Sequence, residues 1–275
     1  MIQATADSHF DLLEPAAIKA SLATLGLAEY HLLYQRQTQS TNTDVIQYYQ
    51  QTGRRAIATC ETQTAGKGRR GRQWVSPFAQ NIYCTVGMLK SLPSAKLSLL
   101  SIVSGMALCR ALASCGVENV QLKWPNDLVY QEGDQKYKLG GLLIESKPWE
   151  NGYFLAIGFG LNLYMTQADL NAIPQPVTSL SQIATKTLER QTILLAAIAA
   201  VTRSIHQFNA AKAKLLPTEF NRYDAFYAQP ICVFNADKQI SGRNAGIDNH
   251  GQLLLQTAQG LLSFAAAEIS LRAMP

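Results

Sequence analysis

Apolar and polar positions alternate with different periods along this chain, and each change of period marks an element. Residues 13–26 carry a helical spacing, with Pro15 near the start and Gly26 just past the end, so one short helix is expected there. Ser40-Thr41-Asn42 supplies capping side chains ahead of the helix-compatible Asp44-Val45-Ile46. Strands follow at about 55–61 and 81–88. Leu97 to Cys115 is a strongly apolar helix that Gly116 ends. Val120–Trp124 and Leu128–Gln131 read as strands on either side of Pro125-Asn126-Asp127, and Glu132-Gly133-Asp134 is a hairpin turn. Lys138–Ser146 and Tyr153–Asn162 pair through Glu150-Asn151-Gly152. Residues 192–214 read as one long amphipathic helix. After Pro230 come short strands and turns: Ile231–Phe234, Gly246–Gly251 and Leu253–Leu255.

Hairpin signals outnumber strand–helix–strand crossovers. The expected class is therefore α+β, a mixed and largely antiparallel sheet flanked by helices, with a small C-terminal β-barrel. The expected organisation is an N-terminal helical segment (1–32), a main domain (33–226) and the barrel (227–275).

Composition narrows the class. The 275 residues, 47% hydrophobic and 16% charged, describe an ordinary globular chain. No apolar run is expected to reach the roughly 20 residues that span a bilayer. Met1 to Asp7 lacks the basic start and apolar core of a signal peptide. The five cysteines are odd in number, lack a C-x-x-C pair and sit among apolar residues, which predicts buried thiols and a reducing, cytoplasmic location. His9, His31, His206 and His250 are scattered, which argues against a histidine metal site.

Net charge is +5 but uneven. Residues 62–117 hold seven cations (Lys67, Arg69, Arg70, Arg72, Lys90, Lys96, Arg110) and no acid. That is a local anion site rather than a broad basic face for nucleic acid. Its centre is Gly66-Lys67-Gly68-Arg69-Arg70-Gly71-Arg72-Gln73-Trp74. The glycines let backbone N–H groups approach a ligand, the arginine forks suit phosphate oxygens, and Trp74 offers an aromatic face. A nucleotide has all the matching properties. The stretch also fits the dinucleotide fingerprint G-x-G-x-x-G, but Pro77 opposes a helix there and the acid required about 20 residues later is missing. A Walker loop fails because no Gly-Lys precedes Ser or Thr.

Three further clusters add chemistry. Lys123-Trp124-Pro125-Asn126-Asp127 interrupts a strand with a proline and brings a lysine, an amide and a carboxylate to one rim. Lys138-Leu139-Gly140-Gly141 opens a strand with a cation and a glycine pair, which implies close approach of a ligand or another backbone. Gly158-Phe159-Gly160-Leu161-Asn162 repeats the device on the next strand. Together they suit a carboxylate being activated by a nucleoside triphosphate.

Ser40-Thr41-Asn42, Gln63 to Trp74, Lys123 to Asp127, Lys138 to Glu145, Gly158 to Asn162 and Glu268-Ile269-Ser270-Leu271-Arg272 resemble, in order and spacing, the motifs of bacterial biotin–protein ligases (biotin–[acetyl-CoA-carboxylase] ligases). The resemblance covers about residues 33–273. It implies a catalytic domain similar to class II aminoacyl-tRNA synthetases and an SH3-like C-terminal barrel. It also implies adenylation of biotin by Mg-ATP, then transfer to a lysine of the biotin carboxyl carrier protein. On these positions it implies catalytic roles for Lys138, Arg69 and Asp127, with Asp127 also a metal ligand. Biotin contacts would be Ser40, Thr41, Asn42, Gln63, Lys67, Gly68, Arg69, Lys138 and Gly141. ATP or adenylate contacts would be Arg69, Arg70, Arg72, Trp74, Lys123, Asn126 and Asn162. Lys67 stands where the family loop often carries arginine, keeping the charge but losing the fork.

One predicted helix ahead of the resemblance is too little for a helix-turn-helix, so a monofunctional ligase without a specific DNA partner or membrane contact is expected, as a monomer or weak homodimer. The rival readings are a lipoate–protein ligase and a DNA-binding biotin sensor. The Gly66–Arg72 loop and the Lys123–Asp127 cluster favour biotin over lipoate.

Overall fold

The computed structural model describes residues 11–235, 238–266 and 270–273. Seven strands form the main sheet: β1 (His31–Thr38), β2 (Ala56–Gln63), β3 (Ile82–Lys90), β4 (Val120–Lys123), β5 (Asp127–Glu132), β6 (Gln135–Trp149) and β7 (Gly152–Leu161). Their order is β1-β2-β3-β7-β6-β5-β4. The β1–β2 pair is parallel and the other five pairings are antiparallel, as the hairpin signals lead one to expect. Strand β1 is the one strand of this sheet that the apolar pattern did not reveal. It lies at the sheet edge and half of its residues are exposed, so it carries little alternation.

Among the described residues, seven α-helices accompany this sheet: α1 (Pro15–Thr24), α2 (Thr41–Thr52), α3 (Leu97–Ser114), the short α4 (Gln167–Asn171) and α5 (Leu180–Ile183), α6 (Arg190–Gln207) and α7 (Ala210–Phe220). The expected single helix over 192–214 is two helices instead. Phe208 takes an extended conformation and buries its ring in the core. Asn209 then caps α7, its side-chain oxygen accepting from Lys212 N at 3.0 Å. The run Ser94–Ser114 does reach bilayer length by composition, against expectation. Here it is a core helix, with Leu99, Leu100, Ile102 and Leu108 buried under the sheet.

Strand β7 shows how the two faces differ. Leu155, Ile157, Phe159 and Leu161 point into the large core with α3 and α6. Phe154 and Ala156, on the other face, pack against Val45 and Tyr49 of α2. The next two residues in that row are Gly158 and Gly160. Side chains on this face thus diminish from aromatic to none, and the space they vacate is a cavity.

A buried ion pair braces one end of the core. Arg190 and Glu61 have fully buried side chains 2.5 Å apart. Glu61 Oε1 also accepts from Leu13 N (3.0 Å) and Tyr34 Oη (2.8 Å), while Arg190 donates to the carbonyls of Asn81 and Asp11. A buried pair is tolerable only when its remaining polar atoms are satisfied in this way.

The second sheet holds β8 (Pro230–Asn235), β9 (Lys238–Ile247), β10 (Leu253–Thr257), β11 (Gly260–Phe264) and β12 (Ser270–Ala273), in the antiparallel order β11-β10-β9-β8-β12. Ile231, Val233, Leu253 and Leu255 join the core of the main sheet. Of the C-terminal motif, Glu268 and Ile269 lie outside the described residues, and the backbone of Ser270–Arg272 forms part of β12.

Candidate active site

A cavity of about 210 Å³ opens on the glycine-bearing face of the main sheet. Its lining includes every residue expected to act in catalysis or to contact biotin or the nucleotide: Ser40, Thr41, Asn42, Gln63, Lys67, Gly68, Arg69, Arg70, Arg72, Trp74, Lys123, Asn126, Asp127, Lys138, Gly141 and Asn162, while Gly66, Gly71 and Gly140 lie outside it. These come from elements up to 122 residues apart in sequence, and their convergence needs the whole sheet.

The centre is an ion pair, Lys138 Nζ to Asp127 Oδ1 at 2.8 Å, with both side chains about one-fifth exposed (18% and 22%). The ammonium also lies 5.3 Å from the centre of the Trp74 ring. A β-bulge makes this arrangement possible. Leu128 pairs with Gly140, but Val129 pairs with Lys138, so Leu139 is an extra residue on β6. In a regular strand Lys138 and Gly141 would face opposite sides. The extra residue restores parity: a Cβ on Gly141 would sit 3.6 Å from Lys138 Cε and 3.3 Å from Asp127 Oδ1. The Lys138 backbone is fixed independently, its N donating to Pro176 O and its O accepting from Thr178 N, each at 2.9 Å.

The glycines of the floor accommodate the protein's own side chains. A Cβ on Gly160 would lie 2.7 Å from Trp74 Cε2, and one on Gly158 would lie 2.2 Å from Asn42 Oδ1. The glycine steps read from the sequence as room for a ligand are thus first of all room for Trp74 and Asn42. A Cβ on Gly140 would meet the carbonyl of Gly160 at 2.7 Å, which is the close backbone approach that the glycine pair implied.

At the other end, α2 begins at the cavity. Ser40 occupies its N-cap position, but its hydroxyl makes no capping bond. Gln63 of β2 takes that task, its Oε1 accepting from Thr41 N at 3.0 Å. Asn42 is committed to the protein: Nδ2 donates to Glu145 Oε2 (2.8 Å) and Leu143 O (3.3 Å), and Oδ1 lies 2.7 Å from Thr85 Oγ1. Asn162 similarly donates its amide to Thr178 O at 3.1 Å.

The cationic loop has little sequence reason to order without an anion, yet the structure shows it closed. Gly68 N donates to Arg72 O (2.7 Å) and Trp74 N to Gly66 O (2.9 Å), with Arg70 at φ 57 and Gly71 at φ 73 on the turn. Arg69 anchors it over the cavity, donating to Asn126 Oδ1 at 3.0 Å and, at 2.6 Å, to the carbonyl of Ala266 in the turn that follows Phe264. Asn126 is a clamp, for its Nδ2 donates to Leu142 O at 2.8 Å. Lys67 Nζ reaches Thr43 Oγ1 at 3.2 Å. Trp74 Nε1 is buried without a hydrogen-bond partner.

Residues 34–162 match the biotin/lipoate A/B protein ligase family, and residues 231–272 match the biotin protein ligase C-terminal domain. The chain thus carries, in order, a biotin/lipoate A/B protein ligase domain and a biotin protein ligase C-terminal domain. The bifunctional ligase/repressor BirA of Escherichia coli is 32% identical over 77% of this chain, which covers 65% of that protein's length. The biotin–[acetyl-CoA-carboxylase] ligase of Paracoccus denitrificans is 28% identical, over 84% of this chain and 97% of its own. Among solved structures, the biotin protein ligase of Aquifex aeolicus in complex with biotin and ATP superposes with a TM-score of 0.72 over 89% of this chain and 99% of its own, at 24% identity. That likeness shows the fold, a large mixed sheet followed by a smaller antiparallel one.

Four parts of the site were not anticipated: the Ile173-Pro174-Gln175-Pro176-Val177 wall, the Leu139 bulge, Thr85 with Glu145 behind Asn42, and the Ala266 carbonyl. The wall could have been found, since two prolines hold it extended beside β6. The others depend on register and backbone position, which no residue type announces.

Proposed function

We propose that this protein couples ATP to biotin, forming biotinyl-5′-AMP, and passes the biotinyl group to a lysine of the biotin carboxyl carrier protein of acetyl-CoA carboxylase. The observation that carries the reading is the Lys138–Asp127 pair under Trp74, enclosed by the cationic loop. In the first step a biotin carboxylate oxygen attacks the α-phosphorus, and the bond to pyrophosphate breaks. Lys138 can hold that carboxylate and then the charge gathering at phosphorus, a donor placed in advance where charge develops. The loop cations screen the phosphates from one another. In the second step the carrier lysine attacks the acyl carbon and AMP leaves. Asp127, freed when Lys138 turns to the ligand, is the carboxylate positioned to accept the proton of that amine. Trp74 Nε1 is a donor awaiting an acceptor within the ligand.

Magnesium is expected to enter on the ATP phosphates. Among the described residues no cluster of three or more His, Cys, Asp or Glu could hold an ion alone. A single carboxylate, Asp127, fits magnesium's habit of taking one or two protein ligands and leaving the rest to phosphate and water.

The test is ATP–pyrophosphate exchange with biotin or lipoate as the acid. Exchange that depends on biotin, followed by labelling of the carrier protein, is the expected result. Exchange with lipoate alone would move the assignment to the sister activity, and exchange with neither would remove it.

A further inference from the structure

The Lys123–Asp127 segment is held from behind by the second sheet. Trp124 is buried, with 2% exposure, and its indole Nε1 donates to Gly251 O at 3.0 Å. Gly251 closes a turn in which its own N donates to Asp248 O at 3.0 Å, with φ +76. A Cβ there would lie 2.9 Å from Leu99 Cδ2, so the turn presses directly on α3. Lys96 and Ser98, at the start of α3, donate to the carbonyls of Asn249 and His250 in the same turn. Ser101 of α3 donates to Pro125 O at 3.1 Å. Beyond Pro125 the segment presents Asn126 to Arg69 and Asp127 to Lys138.

A phenylalanine would satisfy the packing demand at position 124 as far as burial goes. The indole N–H does something packing does not require: it ties the bend that presents Asn126 and Asp127 to a main-chain carbonyl of another sheet. We propose that Trp124 is a positioning residue, through which the 248–251 turn of the C-terminal sheet sets the reach of Asn126 and Asp127 over the adenylation cavity. The proposal rests on the ligase reading above. It makes the second sheet part of the machinery for the first chemical step, with no side chain of that sheet entering the cavity through this link.

The experiment compares Trp124→Phe with Val233→Ala, a core substitution in β8 chosen to lower stability without removing the Trp124 bond. Two readouts are taken. Single-turnover biotinyl-AMP formation in Trp124→Phe should slow about tenfold while biotin affinity by titration holds within about twofold, because misplacement acts on the reacting geometry. Amide exchange at Leu142, whose N donates to Asn126 O at 2.9 Å, should quicken in Trp124→Phe and not in Val233→Ala. A rate within about twofold of wild type, an unchanged Leu142 amide, or an equal rate loss in Val233→Ala would overturn the proposal. If wild type forms no biotinyl-AMP, the ligase reading fails, and the Leu142 exchange still decides whether Trp124 positions the segment.

Discussion

The two faces of the seven-stranded sheet are made by the same strands and behave as opposites. Toward α3 and α6, β7 presents Leu155, Ile157, Phe159 and Leu161, all buried in one core. On the other face it presents Phe154 and Ala156 to α2 and then Gly158 and Gly160 to the cavity, a row in which side-chain volume falls to nothing. A strand alternates its faces residue by residue, so one ten-residue segment can specify a rigid wall and an empty floor together. The wall supplies stability, and the floor supplies a place for Trp74, Asn42 and a ligand. Substitutions on one face should therefore change the rate, and on the other the melting temperature.

The largest expected effect is at the centre of the cavity face. Lys138→Ala should slow biotinyl-AMP formation by about 10²-fold or more, the scale of one lost preorganised donor, with little change in melting temperature. Single-turnover adenylation measures it, and a rate within about threefold of wild type would remove Lys138 from the mechanism. Next comes Gly160→Ala. The added methyl would meet the Trp74 ring at 2.7 Å, so the indole must leave its seat beside Lys138. Adenylation should fall about tenfold, accompanied by a change in tryptophan fluorescence; an unmoved emission spectrum would mean that the floor is softer than its packing suggests.

The comparison sharpens with Ile157→Ala, one residue before Gly158 in the chain and on the opposite face. It should cost about 2–5 kcal/mol in denaturant unfolding, while adenylation at low temperature stays within about twofold. A rate loss matching that of Gly160→Ala would show the faces to be coupled. The smallest effect concerns thiols. Cys84 and Cys109 lie in the sealed core and burial pushes both thiols up, Cys109 to about 12, whereas Cys115 is partly exposed. A thiol reagent at neutral pH should label Cys115 first in the folded protein, and early labelling of Cys84 would show that the sealed face opens.

Much of this was legible beforehand because it depends on residue type. The basic glycine loop, the Pro125 bend and the glycine pairs announced a cavity, and hairpin turns announced an antiparallel sheet. Residue type was silent about partners. Nothing in the sequence said that Gly158 makes room for Asn42, that Gln63 rather than Ser40 would cap α2, or that Arg69 would reach Ala266. The break at Phe208 was also hidden, because apolar residues on both sides continue a helical period while Asn209 starts a new helix. Such facts are pairings across long sequence separations, decided by packing.

The bulge at Leu139 has a further consequence, in what change the chain can absorb. Most strands tolerate substitution better than a change of length, but here the count of residues between Lys138 and Gly141 decides whether the ammonium faces the cavity or the core. A one-residue insertion in this span with the bulge kept would leave every motif residue present and turn the lysine to the wrong side, whereas loss of Leu139 would put Lys138 two residues from Gly141 in a regular ladder and keep it on the cavity face. Lineages of such a protein can therefore lose the bulge and keep the lysine's side, whereas a lone insertion in the span needs a compensating change. Loop grafts or length changes made by design meet the same arithmetic.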